Sequence, residues 1–217
     1  MKPIPFHNDD EARAALDQVV THVLSGGLLA YPTETVYGLG SRPAEREVRA
    51  LAALKGRAAG KPFLLLVASQ AMAESQGLGF NESARALARA FWPGPLTLVL
   101  PGGSGRLPDV LRGPEGGIAV RWTSHSQMAR LVAALEMPLT STSANVPGSA
   151  PAPGADAIVR DFPTAVSSGA LMVLDGGVLG NRPPSTVVDC TGPMPRIVRA
   201  GALTLAQLRA GAGTLAP

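Results

Sequence analysis

Phe63-Leu64-Leu65-Leu66-Val67-Ala68 is an apolar run with no polar interruption. It is far too short to span a bilayer. A continuous run of this length reads as a central strand covered on both faces, in a sheet with helices on either side. Upstream, residues 43–54 read as a helix that delivers the basic loop Lys55-Gly56-Arg57-Ala58-Ala59-Gly60-Lys61-Pro62. Earlier still, Asp9 or Asp10 caps a first helix. Leu16, Val19, Val20, Val23 and Leu24 keep helical spacing along it up to Gly26-Gly27. Residues 28–31 form a strand ended by Pro32, and residues 33–40 a loop with hydroxyls and two glycines.

The alternation continues downstream. Asn81 caps a helix carrying Ala84, Leu87, Ala88 and Phe91, halted at Trp92-Pro93-Gly94-Pro95. Residues 96–100 are a strand, 101–117 a Gly/Pro-rich surface loop and 118–122 another strand. Met128, Leu131, Val132 and Leu135 stripe a helix, and 138–141 form a strand feeding the loop Ser143-Ala144-Asn145. After a turn-rich segment, Ala155, Ile158, Val159 and Phe162 stripe one more helix. Strands at 171–174, 186–190 and 196–198 precede a short closing helix at Leu205 and Leu208. The pattern predicts one α/β domain over residues 9–209, with a mixed sheet flanked by helices, and a flexible tail at 210–217.

Composition narrows the function classes. In 217 residues, 46% apolar content is ample for a core, and only 4% aromatics makes that core aliphatic. A net charge of +3 is mildly basic, unlike a nucleic-acid tail, and a local anion site explains it as well as a broad RNA face does. The single cysteine, Cys190, excludes an internal disulfide and reads as a small buried hydrophobe. No apolar leader opens the chain, so a soluble, cytoplasmic setting is expected. His7, His22 and His125 stand singly, and neither they nor the carboxylates show metal-site spacing. Gly60-Lys61 lacks the rest of a P-loop, and Gly38-Leu39-Gly40 lacks the third glycine of a dinucleotide fingerprint.

Two stretches carry chemistry. Of 19 basic residues only Lys2, Lys55 and Lys61 are lysines, yet two of them share one loop with Arg57. Lysine is a compact mobile charge and arginine a planar fork, a pairing suited to a polyanion such as a nucleoside triphosphate. Ser141-Thr142-Ser143-Ala144-Asn145 gathers hydroxyls and an amide, neutral donors for phosphate or carboxylate oxygens. The bland alternatives are a solvated loop after a helix and an ordinary turn. Arg121 and Arg199 end apolar strands, and Thr33 and Thr35 sit in a loop after one. Strand ends of this kind line the ligand crevice of an α/β sheet. Tyr37 reads as packing.

Together the segments resemble the threonylcarbamoyl-AMP synthase family, the YrdC-type domain. They are Tyr31-Pro32-Thr33-Glu34-Thr35-Val36-Tyr37-Gly38-Leu39-Gly40, Lys55-Gly56-Arg57, Lys61-Pro62, Pro93-Gly94-Pro95-Leu96-Thr97, Ala119-Val120-Arg121, Thr142-Ser143-Ala144-Asn145, Ser185-Thr186-Val187-Val188-Asp189 and Val198-Arg199-Ala200-Gly201. The resemblance implies a twisted mixed sheet around a positively charged concave site. It implies condensation of L-threonine, bicarbonate and ATP into threonylcarbamoyl-AMP and pyrophosphate, with Mg2+ held mainly by the ATP phosphates. By analogy Lys55, Arg57, Lys61, Ser143 and Arg199 hold ATP. Lys55, Arg57, Ser143 and Asn145 form the catalytic set. Thr33, Thr35, Arg121, Ser141 and Ser185 hold threonine. Implied partners are tRNA threonylcarbamoyl transferase proteins, with a possible tRNA or double-stranded RNA contact. Some relatives carry a histidine where this chain has Leu66, and some continue into a second domain where this chain resembles a shorter, single-domain form. A related carbamoyl-adenylate domain and a noncatalytic RNA-binding protein are the alternatives.

Overall fold

A computed structural model describes residues 2–56, 62–180 and 182–212. Ten strands form one mixed sheet. They are β1 (Ile4–Pro5), β2 (Leu28–Tyr31), β3 (Gly38–Gly40), β4 (Leu64–Val67), β5 (Leu96–Leu100), β6 (Ile118–Trp122), β7 (Leu139–Ser143), β8 (Leu171–Asp175), β9 (Thr186–Asp189) and β10 (Arg196–Arg199). Their order across the sheet is β1-β8-β2-β3-β7-β4-β6-β5-β9-β10, so the apolar run at β4 is central, as the sequence predicts. The helices are α1 (Asp9–Leu24), α2 (Glu45–Lys55), α3 (Gln70–Ser75), α4 (Glu82–Phe91), α5 (Ser126–Ala134), α6 (Ala155–Asp161), α7 (Pro163–Ser167) and α8 (Leu205–Ala212).

Side chains alternate between the faces of a strand, and register carries that alternation from strand to strand. On one face Leu28, Ala30, Leu39, Leu65, Val67, Leu96, Leu98, Val120 and Val188 pack with Val48 and Leu51 of α2, Leu87 of α4 and Leu208 of α8. On the other face Leu29, Tyr31, Leu66, Leu139, Met172 and Leu174 meet Ala15 and Val19 of α1 and Leu131 of α5. That second cover stops at β4. Leu66 is opposite Arg121 of β6, Leu64 opposite Ala119, Ala119 opposite Val99 of β5, and Val99 opposite Asp189 of β9. These residues continue the α1/α5 face, but Leu64, Val99, Ala119, Arg121 and Asp189 line an open cleft.

Several local expectations need correction. The cap of α1 is Asn8, not Asp9 or Asp10. Its extended backbone lets Oδ1 accept from the Asp10 and Glu11 N–H groups at 3.0 Å, while Asp9, Asp10 and Glu11 fill the first turn. Folded elements also reach past 9–209. β1 pairs with β8, and α8 runs through residues 210–212, which the sequence assigns to the tail. β1, α3 and α7 are too short to show periodicity. Ser143 lies inside β7, not in a loop after it.

The glycine-containing stretch read as a loop is partly β3, which pairs antiparallel with both β2 and β7. Its glycines hide a strand because the sheet is too tight there for side chains. A Cβ on Gly40 would stand 2.1 Å from the Thr140 carbonyl oxygen, and one on Gly38 would stand 2.8 Å from the Tyr31 ring. Gly40→Ala is therefore expected to destabilise the fold by about 1–3 kcal/mol, as overpacking does. Thermal and urea melts check this; an unchanged midpoint would contradict the close approach.

Candidate active site

The open half of the sheet face forms a cleft of about 450 Å³. Of the residues singled out in the sequence, Thr33, Thr35, Arg121, Ser141, Ser143, Ser185 and Arg199 line it together. They come from the β2–β3 connection, β6, β7, the lead into β9, and β10. The convergence expected from the strand ends is thus a property of the fold.

Arg121 is only 4% exposed, although its position near a strand end also allowed a surface arginine. Its Nη1 donates to Thr35 Oγ1 at 3.1 Å, and its Nη2 stands 3.4 Å from Glu34 Oε2. Thr33 Oγ1 donates to the Val36 carbonyl at 2.7 Å, so in the 3.0 Å contact between the two hydroxyls Thr35 is the donor. Proton donation thus runs one way, from Arg121 through Thr35 and Thr33 to a backbone carbonyl. Thr33 Oγ1 also accepts from the Thr35 and Val36 N–H groups at 3.2 Å, which fixes the turn.

Arg199 reaches the cleft through a bulge. Ile197 is opposite Val188, but Arg199 is opposite Val187, so two residues of β10 advance against one of β9. Without the extra residue Arg199 would share the opposite face with Thr186. With it, Arg199 Nη2 donates to the Ser185 carbonyl at 2.8 Å and to Ser185 Oγ at 3.1 Å. Ser185 Oγ in turn lies 2.8 Å from Thr97 Oγ1. Burial, and then the positive charge of Arg121, lower Arg199 from its ordinary value. Two guanidinium groups on one cleft favour an anion between them.

Lys55 departs most from expectation. The chain leaves α2 through Gly56 in the left-handed region, φ +58°, and Lys55 in the last turn points inward, 6% exposed. Its Nζ donates to the Ser143 carbonyl at 2.8 Å, to Asn145 Oδ1 at 2.5 Å and to the Asn145 carbonyl. Asn145 Oδ1 also accepts from Ser143 Oγ at 2.6 Å, while its Nδ2 donates to the Val146 and Ser149 carbonyls. Lys55 and Asn145 therefore stand behind the cleft wall and brace Ser143, and the reading of Lys55 as a solvent-facing loop cation is corrected. Arg57 and Lys61 lie outside the described residues; Pro62, which follows them, is on the cleft wall.

Other groups on the wall escaped the sequence reading. Thr97 carries a hydroxyl at a position where its strand alternates toward the cleft, a signal that was available. Arg196, Glu115 and Asp189 join them. Arg196 stands 3.1 Å from Glu115 and 3.3 Å from Asp189. Burial acts to raise Asp189, but the Thr191 N–H and hydroxyl and Arg196 together hold it below the usual carboxylate value. The described wall thus mixes arginines with carboxylates in a site expected to be positively charged. Leu66 is fully buried against α1 and α5 and is not on the wall. Tyr37 packs as expected; its hydroxyl donates to the Gly177 carbonyl, and burial pushes it up to about 12. Burial likewise pushes the Cys190 thiol up to about 12.

Two arginines and a ring of hydroxyls on the floor of an open α/β sheet define a site for a small polar ligand that carries an anionic group. The chain belongs to the Sua5/YciO/YrdC family, whose model, described as Telomere recombination, matches residues 22–201. It is 36% identical over 187 residues to the threonylcarbamoyl-AMP synthase of Pyrococcus abyssi, covering 86% of this chain and 54% of that protein. It is 40% identical over 173 residues to that of Thiobacillus denitrificans, covering 79% and 89%. The crystal structure of P. abyssi Sua5 complexed with L-threonine superposes with a TM-score of 0.87 at 33% identity, over 99% of this chain and 62% of that one.

The bracing role of Lys55 has a measurable consequence. Lys55→Met should cost about 1–3 kcal/mol of folding stability, because three oxygen acceptors lose a buried donor. Urea unfolding tests this. A loss below ~0.5 kcal/mol, the range of ordinary surface changes, would show that the ammonium does not brace β7.

Proposed function

We propose that this protein condenses L-threonine, bicarbonate and ATP into threonylcarbamoyl-AMP and pyrophosphate, a nucleotidyl transfer. The observation that carries the reading is the Arg121–Thr35–Thr33 array on the cleft floor, in a chain that superposes on a threonine-bound relative. Arg121 takes the threonine carboxylate, to which a guanidinium presents paired donors. The hydroxyls of Thr35, Ser141 and Ser185 hold the polar groups of the amino acid, and Thr33 fixes Thr35 beside them.

The threonine nitrogen first captures carbon dioxide or bicarbonate as a carbamate, which water would destroy and a recessed cleft shelters. A carbamate oxygen then attacks the α-phosphorus, a P–O bond forms, and pyrophosphate leaves with the electrons of the bond that breaks. Negative charge crowds that step, so cations fixed in advance favour it. Arg199 serves this end from the described wall, and Arg57 and Lys61, which follow Gly56 in sequence, are expected to serve it as well. Ser143, braced by Lys55 and Asn145, offers its hydroxyl oxygen at the junction of the two substrates. No side chain has to act as a covalent nucleophile. Among the described residues no three His, Cys, Asp or Glu side chains converge as a metal cage. Mg2+ would ride with the ATP phosphates, whose charge it would offset. The product would pass to tRNA threonylcarbamoyl transferase proteins, and any contact with tRNA belongs to the same proposal. No described helix is long and apolar enough to cross a membrane.

Pyrophosphate release, measured with ATP, bicarbonate, Mg2+ and L-threonine and with each omitted in turn, should require both threonine and bicarbonate. Arg121→Ala should raise the threonine KM roughly 10–100-fold, the loss of one charged contact. Release that ignores threonine, or threonine saturation unchanged in that variant, would contradict the assignment.

A further inference from the structure

Glu34 lies beneath the cleft floor. Arg121 lines the cleft; Glu34 is not among the lining residues, and its side chain is 14% exposed. One carboxylate oxygen, Oε2, accepts from Thr123 Oγ1 at 2.5 Å and faces Arg121 Nη2 at 3.4 Å. The other, Oε1, is buried without a hydrogen-bond partner among the described residues, and so is Arg121 Nε. Thr123 therefore pins a carboxylate that water screens poorly. The pair is long for a salt bridge and leaves Arg121 donors uncommitted. A buried guanidinium and carboxylate so arranged act on the cleft as two charges of opposite sign, one at the surface and one set back.

A bare carboxylate ligand on Arg121 would feel the attraction of the arginine and the repulsion of Glu34. A zwitterion places an ammonium beside its carboxylate; Arg121 repels that ammonium, and the opposite charge of Glu34 offsets the repulsion. We propose that Glu34 is a specificity-determining residue: its charge, held by Thr123 against Arg121, makes the subsite take an α-amino acid zwitterion and reject the matching carboxylic acid without the amine. The proposal rests on the threonine reading above and adds to it a residue that does not contact the ligand. Glu34 acts before chemistry. It favours the charged amine at binding, and the amine loses its proton only when the carbamate forms. A purely structural ion pair would stabilise the fold and affect every ligand of Arg121 alike.

Titration calorimetry on the full chain separates these roles, with L-threonine and with (R)-3-hydroxybutyrate, which keeps the hydroxyl and carboxylate but lacks the amine. The wild type should bind threonine at least about tenfold more tightly, as opposite charges several ångströms apart in a poorly screened site imply. In Glu34→Gln, which preserves shape, the ratio should fall toward one, chiefly because the hydroxy acid binds better to an Arg121 whose charge is no longer offset. Thr123→Val should narrow the ratio in the same direction and serves if the first variant does not fold. Equal affinities in the wild type overturn the proposal. So does a folded variant that weakens both ligands by the same factor, which is the structural outcome. Failure of the wild type to bind threonine at all overturns the threonine reading first, and the proposal with it.

Discussion

The guanidinium of Arg121 sits in the sheet floor at 4% exposure, and a charge so placed must be met by neighbouring polar groups or be lost. Thr35 and Glu34 meet it from the β2–β3 connection. Thr33 and Thr123 then fix those two, and the Thr33 hydroxyl closes the turn on Val36. One buried charge thus specifies the conformation of the β2–β3 segment that lines the cleft beside it. Burial first, and then that same charge, lower the neighbouring Arg199, so the two cations share a demand for an anion. A packed apolar floor could give similar stability, but it would bind nothing polar.

The position of that charge follows from how the sheet is covered. One face is sealed along its length by apolar alternates under α2, α4, α6 and α8. The other is sealed only as far as β4, where Leu66 still packs under α1 and α5. Beyond β4 the same alternation presents Arg121, Thr97, Val99 and Asp189 to open space. The bulge in β10 then turns Arg199 to that face, against the plain alternation of its strand. Behind β7, the Lys55 ammonium gathers the Ser143 and Asn145 oxygens. Each device sits at an edge of the uncovered area, so the sheet supplies the floor of the cleft and the connections between strands supply its rim.

Much of this was legible in the residues. The apolar run at β4 gave a central strand because continuous apolarity survives only where both faces are covered. The hydroxyl and arginine positions were found because they interrupt or end apolar strands. What remained hidden had physical causes. β3 is built on two glycines demanded by the Tyr31 ring and the Thr140 carbonyl, and glycine reads as a turn. The bulge shifts a side chain between faces with no local signature. Lys55, placed in the ATP-binding set as a loop cation, gave no sign of its burial, because its acceptors lie some ninety positions along the chain. Glu34 was quoted within its motif, yet its pairing with Arg121 and Thr123 depends on contacts between segments 87 and 89 positions apart.

The most direct measurement is a crystal structure of this protein grown with L-threonine. The threonine carboxylate is expected within hydrogen-bond distance of the Arg121 guanidinium, on the uncovered half of the sheet, with the Thr35 and Glu34 contacts retained. Threonine bound elsewhere, with Arg121 still held only by Thr35 and Glu34, would contradict the assignment of this floor as the amino-acid site.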